Sequence, residues 1–219
     1  MTGTETHINF LISRRNLLIV LFLFFIGFLM IVFLKSSFKG FDYSVNQWVA
    51  INQNAFLTQI SLIFHYMFDS LSMFVITALI AVYLFLKKLR RYAFLVAGSM
   101  IGEAILTSVL KMAIHSPRPS NAIILLNEFS FPSGHVTSVT VLFCLLSYFA
   151  WMNWKSLTPK ICLILFLVII ALAVGFSRIY LNVHWFSDVL GAYLLGSFWF
   201  IFSVMLFEYA QTKKGIQTK

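Results

Sequence analysis

The sequence predicts an all-α, polytopic membrane protein with six transmembrane helices and an amphipathic interfacial segment between the first two. Composition is the first of three observations behind this. Apolar residues form 60% of the 219-residue chain and charged residues only 11%, with a mean hydropathy of +0.91, whereas soluble domains carry roughly 25% charge. Secondly, six apolar runs, at about 16–34, 70–87, 92–112, 132–152, 160–178 and 188–209, approach the roughly 20 residues needed to cross hydrocarbon. Thirdly, basic residues alternate between the connecting segments. Eleven of the 16 Lys and Arg residues fall on one side and five on the other. Three of those five sit in polar motifs, and without them the bias is 11 to 2. Both termini are therefore expected in the cytoplasm.

The first run follows Ser13-Arg14-Arg15, a faint likeness to a twin-arginine export signal. It is too long for a signal core and no small-x-small cleavage site follows, so an uncleaved first helix is expected. Phe41 to Tyr66, with Trp48, Phe56 and Phe64, reads as one or two amphipathic helices in the interface or as a loop packed over the bundle. Asp69-Ser70 marks the start of the second span, and Pro132-Ser133 the start of the fourth. Lys87, Lys88, Arg90 and Arg91 separate the second and third spans, and Lys155 and Lys160 the fourth and fifth. No repeat, low-complexity tract or linker divides the chain, so residues 1–219 are expected to form one membrane-embedded domain, with a motif core at 111–188.

The net charge of +9 does not indicate nucleic acid, because the basic residues lie in short clusters between apolar runs. Cys144 and Cys162 both lie inside apolar runs, so buried thiols are expected rather than a disulfide. No Cys/His spacing suits structural zinc.

Three polar stretches stand at the mouths of the spans: KMAIHSPRP from Lys111 to Pro119, FPSGH from Phe131 to His135, and SRIYLNVHWFSD from Ser177 to Asp188. All fall on the side opposite the basic loops, the extracytoplasmic side. Ionisable groups at membrane depth are costly and usually functional. His184 and Asp188 are four apart and would share a helix face, the Asp fixing the imidazole tautomer and leaving the other nitrogen as nucleophile or base. Arg178 would reach the same place across a short turn through Asn182. Ser133 and Gly134 suit a helix N-terminus, whose backbone N–H groups bind anions, with His135 in the first turn.

Each stretch alone has an ordinary explanation: a helix cap, an i,i+4 pair, or cations snorkelling at the membrane boundary. Together, Lys111, Arg118 and Arg178 with helix amides make a cradle for a tetrahedral dianion. Two histidines there supply a nucleophile and a general acid. A 2-His-1-carboxylate metal site is the rival, disfavoured by three fixed cations.

In order and spacing, Lys111…Arg118-Pro119, Pro132…His135 and Ser177-Arg178…His184…Asp188 resemble the phosphatidic acid phosphatase type 2/haloperoxidase superfamily, in its bacterial membrane lipid phosphatase branch. The resemblance implies a metal-independent lipid phosphatase with a phospho-histidine intermediate and no cofactor. It makes His184 the nucleophile, Asp188 its orienting partner and His135 the acid that protonates the leaving oxygen and then activates water. Lys111, Arg118, Ser133, Gly134 and Arg178 would bind the phosphoryl oxygens. The implied partners are membrane lipids and a lipid phosphate, such as undecaprenyl pyrophosphate, phosphatidylglycerol phosphate or phosphatidic acid. The alternatives are a lipid phosphotransferase on the same site, a vanadate-dependent haloperoxidase, or a non-enzymatic lipid carrier.

Glu103, Thr107 and Lys111 share one helical stripe, and Glu103 is expected to support the bundle rather than touch substrate. Glu128 and the 121–127 loop are placed on the site's side, where they would tune head-group choice. His7, His65 and His115 match no motif position and are expected at the surface.

Overall fold

The computed structural model describes residues 14–217, and these form eight α-helices with no strand. They are α1 (Arg14–Phe33), α2 (Lys35–Ile51), α3 (Ala55–Met67), α4 (Ser70–Leu86), α5 (Arg90–Ile114), α6 (Gly134–Asn153), α7 (Leu157–Tyr180) and α8 (Phe186–Gln217). His7 and Lys219 lie outside the described residues.

Five helices, α1, α5, α6, α7 and α8, are each long and apolar enough to cross a membrane. The run expected as the second span is α4, which has 17 residues and is bent by 53° from α3. That bend explains why the hydropathy of 70–87 reads as a short span: the apolar path continues backwards into α3. The segment between the first two runs is thus two helices, α2 and α3, rather than a loop.

Asp69 caps α4 as the sequence indicates, its carboxylate accepting the Ser72 N–H at 2.7 Å. The run expected as the fourth span is α6, which starts two residues later than expected. Pro132 precedes the N-cap Ser133, so the ring stands just outside the helix.

The bundle is built around α6 and α8. On α6, Val136, Val139, Val141, Leu142 and Leu145 are at most 2% exposed, meeting residues of α4, α5, α7 and α8. Two α8 glycines permit the close approach. A Cβ at Gly196 would lie 2.8 Å from the Thr140 side chain, and one at Gly191 would lie 2.6 Å from the Phe131 ring. Gly191 therefore seats Phe131, and with it the chain entering Ser133, against α8.

α1 packs on α8 through Phe28 and Ile31 and presents Phe22, Leu23 and Phe33 outward. Such apolar surface suits lipid, not water. Cys162 is exposed on α7 and Cys144 half-buried. The expectation of two buried thiols fails for Cys162, because one face of α7 turns away from the bundle.

The ends of the helices alternate. Phe33, Ser70, Ile114, Gly134, Tyr180 and Phe186 end or begin helices whose junctions gather at one mouth, where the polar motifs lie. The short turns at Lys87–Leu89 and Trp154–Ser156 lie at the other ends of their helices.

Candidate active site

Arg178 stands in the last turn of α7, and the chain then reverses through Asn182, which adopts a left-handed conformation (φ 54°) suited to Asn. The Val183 N–H returns to the Arg178 carbonyl at 3.2 Å, which brings His184 back beside Arg178. The spacing of His184 and Asp188 was expected to place both on one helix. α8 begins only at Phe186, so His184 precedes it and Asp188 reaches back from the first turn. The reason is capping chemistry: Asp188 Oδ2 accepts the otherwise unused Trp185 N–H at 2.9 Å. The same oxygen lies 3.5 Å from His184 Nδ1, an ion-pair separation rather than a formed hydrogen bond. The other carboxylate oxygen is held by Lys35 Nζ. Asp42 accepts from the Ser187 N–H at 2.9 Å and its hydroxyl at 2.6 Å. Lys35 and Asp42, both on α2, thus brace the start of α8.

Lys111 stands in the last turn of α5, and the loop after that helix is stapled back on itself. The Ser130 N–H reaches the Ser116 carbonyl at 2.8 Å, and the Trp185 indole donates to the Pro117 carbonyl at 2.8 Å. The staple directs Arg118 inward. Its Nε donates to the Glu128 carbonyl at 2.7 Å, and its Nη1 to the Val183 carbonyl at 2.6 Å. Nη1 also lies 3.2 Å from His184 Nε2. Guanidinium nitrogens only donate, so Nε2 carries the lone pair and the proton sits on Nδ1, facing Asp188. Lys111 Nζ contacts Glu128 Oε2 and the Phe129 carbonyl, each at 2.9 Å. Lys111 holds the Glu128 carboxyl below its ordinary range.

Ser133 is the N-cap of α6, yet its side chain makes no cap bond, and its fully buried hydroxyl has no protein partner. A Cβ on Gly134 would meet only Thr107, at 3.9 Å. The missing side chain therefore leaves the space at the helix start open instead of serving a neighbouring residue. The Ser133 N–H lies 3.4 Å from the Asp188 carbonyl, which joins this helix start to the His184 segment. His135 Nε2 lies 3.3 Å from the His65 carbonyl and 3.2 Å from His65 Nδ1. Arg178 Nη1 donates to that same Nδ1 at 2.8 Å. Arg178 itself is wholly buried, and its Nε and Nη2 have no protein partner.

The structure therefore gathers Arg118, Ser133, His184 and Asp188 with Arg178 and His135, while Lys111 stands at the rim on Glu128. Three participants were missed in the sequence. His65 was expected at the surface but is only 8% exposed, because α3 packs against α7. The usable signal was an ionisable residue inside an apolar stretch. Lys35 follows directly on an apolar span and Asp42 lies further along α2, and their role depends on where α2 folds back.

The sequence matches the PAP2 superfamily over residues 92–212. The chain belongs to the PAP2 superfamily. It is 35% identical over 96 residues to phosphatidylglycerophosphatase B of Bacillus subtilis, covering 43% of this chain and 47% of that one. It is 30% identical over 148 residues to undecaprenyl-diphosphatase of Sulfolobus acidocaldarius, covering 64% and 65%. The aligned regions thus span about half to two thirds of these relatives. Among solved structures, the fold resembles a transmembrane PAP2-type phosphatidylglycerolphosphate phosphatase from Bacillus subtilis. That match has a TM-score of 0.78 at 23% identity, over 86% of this chain and 96% of that one. It also resembles Aquifex aeolicus LpxE, with TM-score 0.59 at 23% identity, over 74% and 94%. Apolar helices and family together make this a multi-pass membrane protein.

In this PAP2 chain the remaining polar groups sort by place. Glu103 is buried within the bundle and accepts the Thr107 hydroxyl at 2.9 Å. His115 is exposed at the end of α5, packed edge-on against Phe129. Among the described residues no three His, Cys, Asp or Glu side chains form a metal-ligand group.

Burial pushes the His184 imidazole down from 6.5 to about 3; Asp188 opposes this and the charges of Arg118 and Arg178 assist it. Between these values the unfolded chain binds a proton at His184 that the folded one does not, so stability falls as pH drops through that window. The thermal midpoint in detergent is expected to be lower at about pH 5 than at about pH 7, and His184→Gln should flatten part of that slope. An unchanged slope would show that His184 is not the group held neutral.

Proposed function

We propose that this protein is an integral membrane lipid phosphatase acting through a phospho-histidine on His184. The observation that carries the reading is the combination of donors and nucleophile. The Ser133 hydroxyl and the Nε and Nη2 of Arg178 are buried without protein partners, and His184 turns a lone pair to Arg118 rather than a proton. Buried donors of this kind fit an anionic ligand.

The steps assign work to the groups around His184 in turn. His184 Nε2 attacks phosphorus and the bond to the leaving oxygen breaks, while the new charge on nitrogen is steadied by Asp188. His135 gives the leaving oxygen a proton. It then takes one from a water that attacks the phospho-histidine, which frees His184 and inorganic phosphate. Lys111, Arg118, Arg178, Ser133 and the amide of Gly134 hold the phosphoryl oxygens. Phosphoryl transfer depends mainly on such positioning and charge stabilisation. Lys111 must release Glu128 to join them.

The reading includes six spans, with α3 and α4 together as the second, α2 lying near the interface, and the site on the extracytoplasmic face. The basic loops favour both termini in the cytoplasm. A site at the bilayer surface suits a lipid phosphomonoester or diphosphate, and the names of the two relatives support a glycerophospholipid or an isoprenoid diphosphate as substrate. The mechanism uses no metal and no cofactor.

The deciding experiment is a phosphate-release screen of purified protein against phosphatidic acid, phosphatidylglycerol phosphate and undecaprenyl pyrophosphate. At least one should be hydrolysed, with activity surviving chelators and inhibited by vanadate. Transfer of phosphate to an added acceptor lipid instead of water would make it a phosphotransferase. No turnover of any kind would overturn the reading.

A further inference from the structure

His65 lies outside all three motifs, yet it touches two of the groups to which the mechanism assigns work. Its Nδ1 is 2.8 Å from Arg178 Nη1. Since a guanidinium only donates, this nitrogen accepts, and neutral His65 carries its proton on Nε2. Arg178 is 0% exposed, and a buried cation is costly when its donors go unmet. An arginine also has a choice of edges. With Nη1 taken by His65, the parallel Nε and Nη2 donors form the remaining fork, and these are the two that lack a protein partner. Such an edge matches two oxygens of a tetrahedral anion.

The same residue holds His135. The two rings stack with centroids 5.1 Å apart and planes inclined by 23°. His135 Nε2 lies 3.3 Å from the His65 carbonyl. Because Arg178 claims the lone pair of His65 Nδ1, the hydrogen on His135 Nε2 goes to that carbonyl. His135 Nδ1 is then the nitrogen left to exchange a proton with substrate. His65 is itself fixed by tertiary contacts at the start of α3: the Asn54 N–H donates to the Tyr180 hydroxyl at 2.7 Å, and Gln53 Nε2 to the Tyr180 carbonyl at 2.9 Å. Tyr180 is two residues beyond Arg178, so α3 is registered against the end of α7.

We infer that His65 is a positioning residue, holding Arg178 by one nitrogen so that its opposite edge faces the phosphoryl group, and fixing the His135 ring. The inference rests on the phosphatase reading for its catalytic consequence, but the anion cradle can be tested without turnover.

The test compares the purified full chain with His65→Asn, His65→Gln and His65→Phe. Asn places an acceptor where Nδ1 stands, Gln moves it one bond outward, and Phe keeps only the ring. Two quantities are read: kinetics on a hydrolysed lipid phosphate, and protection of the protein by orthovanadate against thermal unfolding. Asn should stay within about threefold of wild type in both. Gln and Phe should lose about tenfold in vanadate affinity and about 30-fold or more in kcat/KM, much of it through KM. The Asn–Gln comparison keeps the question open to refutation if Phe does not fold. Equal vanadate affinity in all variants, or Asn no better than Gln, overturns the inference while leaving a working phosphatase. A wild type that vanadate does not protect overturns it too. Vanadate protection that depends on His65, in a protein that releases no phosphate from any lipid, supports the inference and sinks the phosphatase reading instead.

Discussion

Replacing His184 by alanine is expected to cut phosphate release by about a thousandfold or more, with membrane insertion intact. The loss should be this large because no neighbouring group can take over. Asp188 is bound on both oxygens, by Lys35 on one and by the Trp185 N–H on the other. The Ser133 hydroxyl has no base in contact with it. The variant should also fail to incorporate label from a phosphate-labelled substrate into an acid-labile, base-stable adduct. Turnover within tenfold of wild type would remove His184 as nucleophile, and water attacking directly would have to replace it. Insertion is expected to survive because the polar contacts of the His184 side chain, with Arg118 and Asp188, lie at the mouth of the bundle and not within the apolar spans.

His135→Gln is the second large effect, and its size should depend on the leaving group. A lipid alkoxide needs a proton as the bond breaks, so general acid loss is expected to cost about 100-fold to 10,000-fold on an alkyl phosphate. An aryl phosphate such as p-nitrophenyl phosphate leaves unaided. With it, the first step should persist and the second, which needs His135 as base, should stall. The expected record is a burst of nitrophenol stoichiometric with enzyme, followed by slow turnover. Equal losses on both substrates, without a burst, would assign His135 to phosphate binding rather than to proton transfer.

Much of the architecture was readable because a bilayer leaves few choices. Backbone polar groups in hydrocarbon must be satisfied within the segment, so long apolar runs become helices, and α1, α5, α6, α7 and α8 follow the predicted runs closely. The bent α3–α4 pair was less readable, since hydropathy records composition and not direction. The motif residues were legible for a related reason: charge is expensive near lipid, so Lys111, Arg118, Arg178, His184 and Asp188 stand out against an apolar background.

Partnership was another matter. Asp42 and His65 resemble ordinary polar residues of a mixed segment, and their contacts with Ser187 and Arg178 span 145 and 113 positions of chain. Nor did spacing reveal that His184 precedes its helix while Asp188 caps it, because an i,i+4 interval is compatible with both arrangements. Spacing likewise does not show that Lys111 Nζ meets Glu128 Oε2, 17 positions away along the chain.

The sequence by itself determined a chain of apolar helices with three polar motifs at the mouths of the spans, because periodicity and polarity are local properties. Tertiary structure alone decided which ring nitrogens of His65, His135 and His184 are engaged and which edge of Arg178 is left open. It also decided that Lys35 and His65 belong with the motifs. Those outcomes are set by donors and acceptors meeting across distant helices, and a single buried hydrogen bond leaves no trace in the spacing of the residues that make it.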